Sequence, residues 1–194
     1  HSLGSRYKNN ISYSTKYSEV ATLSFHAVKH ITTGEGGAIL TNDKKIYEMC
    51  KLLRSHNMIK NKKNYLWKYE INDVGYNYRL TDFQSILGRY QLKNLNLKIK
   101  NRIKTAKIYN SQFKNLDHVT LPKIDSFNVN SFHLYILKIN FKKYKMTKEF
   151  FFKKAFEMGL KLQQHYIPLY KFNYMKKFCI NKSLNFPNAE TYNR

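Results

Sequence analysis

Short apolar runs separated by polar and glycine-rich breaks mark the first fifty residues of the chain. Residues 20–25 form such a run and predict a buried strand, and residues 38–41 predict a second strand directly after the glycine-rich stretch 34–37. We expect that stretch to make a tight turn. A helix capped by Asn42 or Asp43 then follows, because apolar residues recur behind these caps at intervals of three and four.

Helical spacing returns in the middle of the chain after an irregular stretch. Residues 56–74, which contain several lysines and the single Trp67, predict a loop excursion. Thr81 and Gln84 then match the Ser/Thr-x-x-Glu/Gln capping box, so a helix is expected to begin here. A further helix follows after a bend near Leu95.

The last third of the chain mixes strand and helix signals. Residues 132–141 predict a strong strand. Thr147 can cap a helix, and Gly159 stands where a left-handed C-cap belongs. Residues 160–166 resume an extended pattern, which Pro168 stops. This half therefore predicts a small α+β domain, joined by a long helix to an α/β part.

The composition is that of a folded chain with a core. Hydrophobic residues make up 42% of the 194 residues and aromatic residues 15%, which excludes a disordered tail. No stretch approaches the ~18 apolar residues that a membrane helix needs, and the first residues lack the pattern of a signal peptide. The cysteines, Cys50 and Cys179, form no metal spacing. We expect a soluble, cytoplasmic protein without a metal site.

The net charge is strongly positive but has little diagnostic value. The chain carries 35 Lys and Arg against 12 Asp and Glu, a formal charge of +23, which by itself suggests a nucleic-acid or anionic membrane partner. Only six of the basic residues are Arg, the side chain best suited to bidentate recognition of phosphates and bases. We therefore expect neither partner, and a basic nucleic-acid-binding protein remains the alternative.

Lys29 is the strongest candidate for chemistry. It lies a few residues after the first predicted strand, in a stretch with few other charges, and the glycine-rich turn follows it. A partly desolvated lysine amine can form a Schiff base with a carbonyl compound. Ser24, at the end of the strand, can hydrogen-bond a phosphate. From this context alone, a solvated surface lysine is the more common case.

Several weaker candidates have structural alternatives. His26 and His30 have a spacing that suits a metal on a helix, but no third ligand is evident and a loop pair without metal is favoured. Asn77 and Arg79, just before a capped helix, could bind an anion.

Two of these groups could equally serve the fold. Arg79 could instead bind the nearby Asp82. His165 and Tyr166 could contact a ligand or pack against a strand of the small domain.

Taken together, four segments resemble the DegT/StrS-type sugar-nucleotide aminotransferases, which use pyridoxal 5′-phosphate on the fold-type-I aspartate aminotransferase scaffold. The matching segments are 24–38, 75–82, 131–135 and 164–168. The resemblance implies an α/β protein with part of the fold-type-I large, cofactor-binding domain in residues 1–97. Residues 98–194 would form the small C-terminal α+β domain, truncated at its end. With this likeness, the interpretation of Lys29 shifts from surface lysine to functional residue.

The resemblance also implies roles for individual residues. Lys29 would bind the cofactor covalently and then act as general base and acid. Ser24 would hydrogen-bond the cofactor phosphate. Asn77, with Arg79, would reach the phosphate of the cofactor in a neighbouring subunit, so that a homodimer shares its active sites. His1 would lie beside the cofactor ring.

The implied reaction is a transamination in amino-sugar biosynthesis of the pseudaminic acid type. The acceptor would be a UDP-linked 4-keto-6-deoxy-N-acetylhexosamine, contacted by His165 and Tyr166, and the amino donor L-glutamate. The aspartate that pairs with the cofactor nitrogen in the family would precede His1, so the chain resembles the middle-to-late half of such an enzyme and is expected to be inactive alone.

Related functions on the same fold stay open. Some relatives are dehydratases with histidine in place of the lysine, which the presence of Lys29 disfavours. A non-catalytic remnant or a regulatory relative is a further alternative.

Overall fold

The computed structural model describes residues 2–8, 11–12, 15–60, 67–178 and 186–193 as short strands and helices. The strands are β1 (Arg6–Tyr7), β2 (Ile11–Ser12), β3 (Val20–Ser24), β4 (Gly37–Thr41), β5 (Met58–Lys60), β6 (Tyr69–Ile71), β7 (Val119–Thr120) and β8 (Lys138–Ile139). The helices are α1 (Lys44–Arg54), α2 (Asp82–Lys93), α3 (Leu95–Phe113), α4 (Lys148–Glu157), α5 (Asn173–Lys176) and α6 (Pro187–Asn193), with a 3-10 turn at Leu169–Lys171. None of these described helices is long and apolar enough to cross a membrane. His1 and Cys179 lie outside the described residues.

The strands form four antiparallel pairs, β1–β2, β3–β4, β5–β6 and β7–β8. The pair β3–β4 is the longest, with Val20 opposite Thr41 and Ser24 opposite Gly37. Gly34, between the two strands, has a φ of 79°, a left-handed conformation that favours glycine. The two predicted strands and the glycine-containing turn between them are confirmed. The expected burial of the first strand is not, since Val20 is 37% exposed and no residue of β3 is fully buried.

Side-chain caps begin three of the helices at the expected residues. Asp43 Oδ1 accepts from two main-chain N–H groups at the start of α1, at 2.6 and 3.1 Å. At α2, Thr81 Oγ1 accepts from Gln84 N at 3.3 Å, and Thr81 N donates to Gln84 Oε1 at 3.0 Å, which completes the capping box. Thr147 Oγ1 accepts from Phe150 N at 3.2 Å at α4.

Two further boundaries also agree with the sequence. Asn94 separates α2 from α3, close to the expected bend. Gly159, after α4, has a φ of 81°, and its N–H donates to Phe156 O at 2.9 Å. This is the left-handed residue expected at the end of that helix.

Three sequence predictions of secondary structure were wrong in extent. Residues 56–74 contain the pair β5–β6 rather than only a loop, because Met58 faces Ile71 across an antiparallel register. Residues 132–141 form a strand only at β8, since the start of that run is held in a non-extended turn, with Phe132 at a φ of 48°. Residues 160–166 have no assigned strand.

The chain divides into two compact units. The first unit contains His1–Ile108 and Lys123–Leu134, and the second contains Tyr109–Pro122 and Tyr135–Arg194. Helix α3 therefore contributes residues to both. The expected domains, 1–97 and 98–194, stay a prediction about the complete protein.

Few apolar side chains of the described residues are buried. The buried ones are Ile31, Ile99, Ala106, Phe132 and Ala155. Many large apolar side chains of the described residues are exposed instead, such as Trp67 at 75%, Val74 at 75% and Phe83 at 88%. Exposed apolar side chains in these numbers suit surfaces that other polypeptide covers.

Replacing the cap of α2 tests the helix start on which the candidate site depends. We expect Thr81→Ala to lower the free energy of unfolding by about 1 kcal/mol, because the Gln84 N–H loses its acceptor. Thr81→Ser keeps the hydroxyl and should stay close to the original protein. Urea unfolding of the complete protein measures both, and equal stability of the two variants would contradict the prediction.

Candidate active site

Lys29 lies on a loop, residues 26–32, whose two ends are tied together and which is called the lysine loop below. The carbonyl of Phe25, directly after β3, accepts from Thr33 N at 2.9 Å and from Thr32 Oγ1 at 3.0 Å. Thr33 is 4% exposed, so the base of the loop is buried. The loop therefore leaves and re-enters the structure at one fixed point.

Two glutamine side chains of α2 hold this region against the helix. Gln91 binds Thr32 twice, since its Oε1 accepts from Thr32 N at 3.2 Å and its Nε2 donates to Thr32 O at 3.1 Å. Gln84 Nε2 donates to Glu35 O at 3.0 Å. Because Gln84 also caps α2, one side chain fixes both the helix start and the turn after the lysine loop.

Ser24 and Lys29, the two residues expected to bind the cofactor first, are both half-buried. In the sequence they lie before and after the exposed His26, whose Nε2 lies 3.7 Å from Glu35 Oε1. His30 contacts a different part of the chain, so the two histidines that could have formed a metal pair have separate partners. The lysine loop thus presents the amine of Lys29, and the end of β3 presents the hydroxyl of Ser24.

The segment 75–80 lies in an antiparallel contact with the end of α1. Tyr76 N donates to Leu53 O at 2.6 Å, and Tyr76 O accepts from His56 N at 2.9 Å. A Cβ on Gly75 would overlap the main chain at His56. Glycine is required here by the close approach of two backbones.

Asn77 and Arg79 project from this segment next to the start of α2. Arg79 Nε donates to Asn77 Oδ1 at 2.7 Å, and both side chains are exposed. The rings of Tyr76 and Tyr78, which alternate with them, stack with centroids 4.8 Å apart. The amide and the guanidinium therefore form one exposed donor surface that suits an anion.

Sequence reasoning missed a cluster near Lys29 that contains His30, Arg102 and His133. The rings of His30 and His133 lie 5.4 Å apart, and His30 is 3% exposed. Burial lowers the pKa of His30, although its hydrogen bond to Ser131 O, at 3.1 Å, opposes this. Burial also lowers the pKa of His133 to about 4, and the charge of Lys29 is the next cause. The cluster is assembled from three distant parts of the sequence. Its sequence signals were that His30 and His133 each lie in a family-like segment, but nothing in the sequence indicated that they meet.

The second unit contains a groove next to the other expected site residues, His165 and Tyr166. Their rings lie 3.8 Å apart, and Tyr166 is 57% exposed. The groove has a volume of about 710 Å³. Its walls are Gln164, Tyr166, Ile167, Pro168, Leu169, Phe172, Ala189 and Tyr192. It is mostly apolar, with polar groups at Gln164 and the two tyrosines.

Glu190 links α6, which forms one wall of this groove, to Tyr170 and Lys171. Its Oε1 accepts from the Tyr170 hydroxyl at 2.7 Å, and its Oε2 accepts from Lys171 Nζ at 2.8 Å. The hydrogen bond to Glu190 raises the pKa of Tyr170 to about 12. Because Ala189 and Tyr192 of α6 line the groove, these contacts hold α6 at its wall.

The side chains of the first unit fit two groups of pyridoxal phosphate. An aldehyde needs an amine, which the half-buried Lys29 supplies. A phosphate needs hydroxyl, amide and cationic donors, which Ser24, Asn77 and Arg79 supply. His1, the remaining residue expected at this site, lies outside the described residues.

A sequence model of the DegT/DnrJ/EryC1/StrS aminotransferase family matches residues 1–194. The chain belongs to this family. The fold and the family expected from the four sequence segments are thereby confirmed.

A curated relative in this aminotransferase family is similar to the chain over nearly its whole length. The UDP-4-amino-4,6-dideoxy-N-acetyl-beta-L-altrosamine transaminase of Campylobacter jejuni subsp. jejuni is 36% identical over 194 residues, which cover 98% of this chain and 50% of that protein. The chain spans about half the length of the curated relatives it matches.

Solved structures of sugar aminotransferases have the same fold. Helicobacter pylori PseC, an aminotransferase involved in the biosynthesis of pseudoaminic acid, is similar with a TM-score of 0.88 and 32% identity. The sugar aminotransferase Spr1654 from Streptococcus pneumoniae, in its PMP form, is similar with a TM-score of 0.86 and 25% identity. Each comparison covers 99% of this chain and 50% of the other chain. The chain therefore has part of the fold-type-I aminotransferase architecture.

Substitution of Gly75 tests the close contact that places the donor surface of this aminotransferase chain. We expect Gly75→Ala to cost roughly 1–3 kcal/mol, because the new Cβ would overlap the main chain at His56. Val74→Ala, at a neighbouring position that is 75% exposed, should have little effect. Thermal unfolding of the complete protein measures both changes, and a neutral Gly75→Ala would show that the two backbones are not in contact.

Proposed function

We propose that the complete protein is a pyridoxal-phosphate-dependent aminotransferase. It transfers the amino group of L-glutamate to a UDP-linked 4-keto-6-deoxy-N-acetylhexosamine, in the biosynthesis of an amino sugar of the pseudaminic acid type. The observation that carries this proposal is the half-buried Lys29 on a loop tied at both ends, in a chain of this family. The names of the Campylobacter and Helicobacter proteins support the sugar class.

Lys29, on the lysine loop, and Ser24, at the end of β3, supply the groups for proton transfer and phosphate binding. Lys29 Nζ would hold the cofactor and, as a free amine, would accept and return a proton during the transfer of the amino group. Ser24 Oγ would donate to the cofactor phosphate. When bound, pyridoxal phosphate supplies the electron sink that the amino group transfer requires. The protein contributes the orientation of Lys29, because the hydrogen bonds that Phe25 O and Gln91 Oε1 accept fix the main chain at the end of the lysine loop.

The proposal includes a homodimer with shared active sites, which the donor surface and the exposed apolar side chains of α2 support. Asn77 and Arg79 are exposed on this chain and would bind the phosphate held by a second copy. The adjacent helix α2 exposes large apolar side chains, among them Phe83 at 88%, Ile86 at 65% and Tyr90 at 67%. Such a face is suited to an interface with other polypeptide.

The groove in the second unit would bind part of the sugar nucleotide. Tyr166 offers an exposed ring and hydroxyl, and His165 contacts that ring. Aromatic walls with a few polar groups suit a hexose or a nucleoside base. The UDP-sugar and the amino acid are soluble metabolites, and the proposal places the enzyme in the cytoplasm.

Chemical trapping tests the role of Lys29 directly. Pyridoxal phosphate followed by sodium borohydride should fix the cofactor on Lys29 of the complete protein, which peptide mass spectrometry locates. Lys29→Ala should lose trapping and reduce transamination roughly a thousandfold or more. Lys44→Ala, at an exposed lysine at the start of α1, should keep both. Trapping at another lysine, with Lys29→Ala still active, would refute the assignment.

Mixed dimers test whether the two chains share each site. Lys29→Ala and Asn77→Ala homodimers should each be nearly inactive. When the two variants are produced together and assemble at random, the whole dimer population should recover about one quarter of the original activity. Half of the dimers are then mixed, and each mixed dimer has one intact site out of two. Two variants of Lys29, Lys29→Ala and Lys29→Gln, should recover none when mixed. Complete activity of Asn77→Ala alone would contradict a shared site.

A further inference from the structure

Phe132 has a backbone conformation that its side chain does not favour. Its φ is 48°, and the residue is 9% exposed. A bulky residue in the left-handed region is uncommon, and it persists where the surrounding structure holds it. Such positions occur frequently where a protein needs a side chain in one fixed place.

The side chains of four residues form hydrogen bonds with the main chain of the turn around Phe132. On its N-terminal side, Ser131 is 1% exposed, its N–H donates to Ser5 Oγ at 3.1 Å, and its carbonyl is bonded to His30 Nε2 at 3.1 Å. The N–H of Phe132 donates to Asn130 Oδ1 at 2.8 Å.

Arg102, on α3, holds the other side of this turn. Its Nη1 donates to Phe132 O at 3.0 Å and to His133 O at 3.4 Å. Arg102 is half-buried, so its guanidinium is held in place rather than free in solvent. The main chain from Ser131 N to His133 O is therefore held by side chains of three distant segments, which contain Ser5, His30 and Arg102.

This held turn sets the position of His133 relative to the lysine loop. The His133 ring lies 5.4 Å from the ring of His30, which directly follows Lys29 in sequence. Burial lowers the pKa of His133, and the charge of Lys29, the neighbour of His30 in the lysine loop, is the next cause. The charges of His30 and Arg102 act on the same ring in the same direction.

We propose that Arg102 and His30 are positioning residues, which hold the turn at Phe132 and thereby keep the imidazole of His133 against His30 of the lysine loop. An uncharged imidazole there adds no second positive charge next to the loop that carries Lys29. A neutral imidazole also keeps one ring nitrogen as a hydrogen-bond acceptor for a protonated amine. This role rests on the proposed aminotransferase function, but the placement of His133 does not.

Arg102→Lys separates the hydrogen bonds of Arg102 from its charge. The lysine keeps a positive charge but has no planar fork with which to hold two carbonyls. NMR titration of the complete, cofactor-free protein, with labelled histidine and His133→Gln for assignment, gives the pKa of His133. We expect about 4 in the original protein and a value at least one unit higher in Arg102→Lys, since the half-buried ring would become more exposed to solvent. Lys104→Gln, which removes an exposed charge from the same helix, should leave the value unchanged.

Steady-state kinetics give the second measurement. We expect Arg102→Lys to lower kcat roughly ten- to a hundredfold with little change in the KM for the amino donor, because a misplaced group slows the reaction more than binding. A purely structural role would lower the melting temperature and the amount of active enzyme without moving the pKa of His133. An unchanged pKa together with an unchanged kcat in Arg102→Lys overturns the proposal.

His30 provides an independent pair of variants if Arg102→Lys does not fold. His30→Gln keeps a side-chain N–H donor for Ser131 O, whereas His30→Ala removes it. We expect His30→Ala to raise the pKa of His133 and His30→Gln to stay closer to the original value. If the two variants give the same pKa, the proposal is wrong. If the pKa values shift as expected but borohydride traps no cofactor on Lys29, the placement stands and the proposed function fails.

Discussion

Two glutamine side chains of α2 fix the main chain around the lysine loop, and most of the candidate site depends on this attachment. Gln91 satisfies both the N–H and the carbonyl of Thr32, and Gln84 binds Glu35 O. An amide side chain can do this because it carries a donor and an acceptor side by side. The position of Lys29 is therefore set by a helix that begins more than fifty residues later in the sequence.

The same helix connects the lysine loop to the segment with Asn77 and Arg79. Gln84 belongs to the capping box with Thr81, and Thr81 follows that segment directly. A local signal of helix initiation thus also orders two groups of site residues. Helix α2 also exposes large apolar side chains, such as Phe83, which suit contact with other polypeptide. In the first unit, both groups of candidate site residues are consequently attached to one element, α2.

Local signals in the sequence were sufficient for caps, turns and the lysine segment, but not for tertiary contacts. Thr81, Asp43 and Gly159 were predictable because their roles depend on neighbours within four residues. The strand expected over residues 132–141 forms only in part, because contacts with Arg102 and other distant side chains determine the backbone conformation of Phe132. These contacts outweigh the β-propensity of the phenylalanine. For the same reason the cluster around His133 could not be predicted, whereas Lys29 and Ser24 could be named as candidates from the family-like pattern around them.

The pair β3–β4 leaves sheet edges to which further strands can be added. In the part of the chain that the structure describes, these two strands pair only with each other, so each leaves one row of N–H and C=O groups without a neighbouring strand. Bare strand edges act as templates for other extended chains. An extended segment that pairs there, from the complete protein or from another polypeptide, would enlarge the sheet whose end carries Ser24.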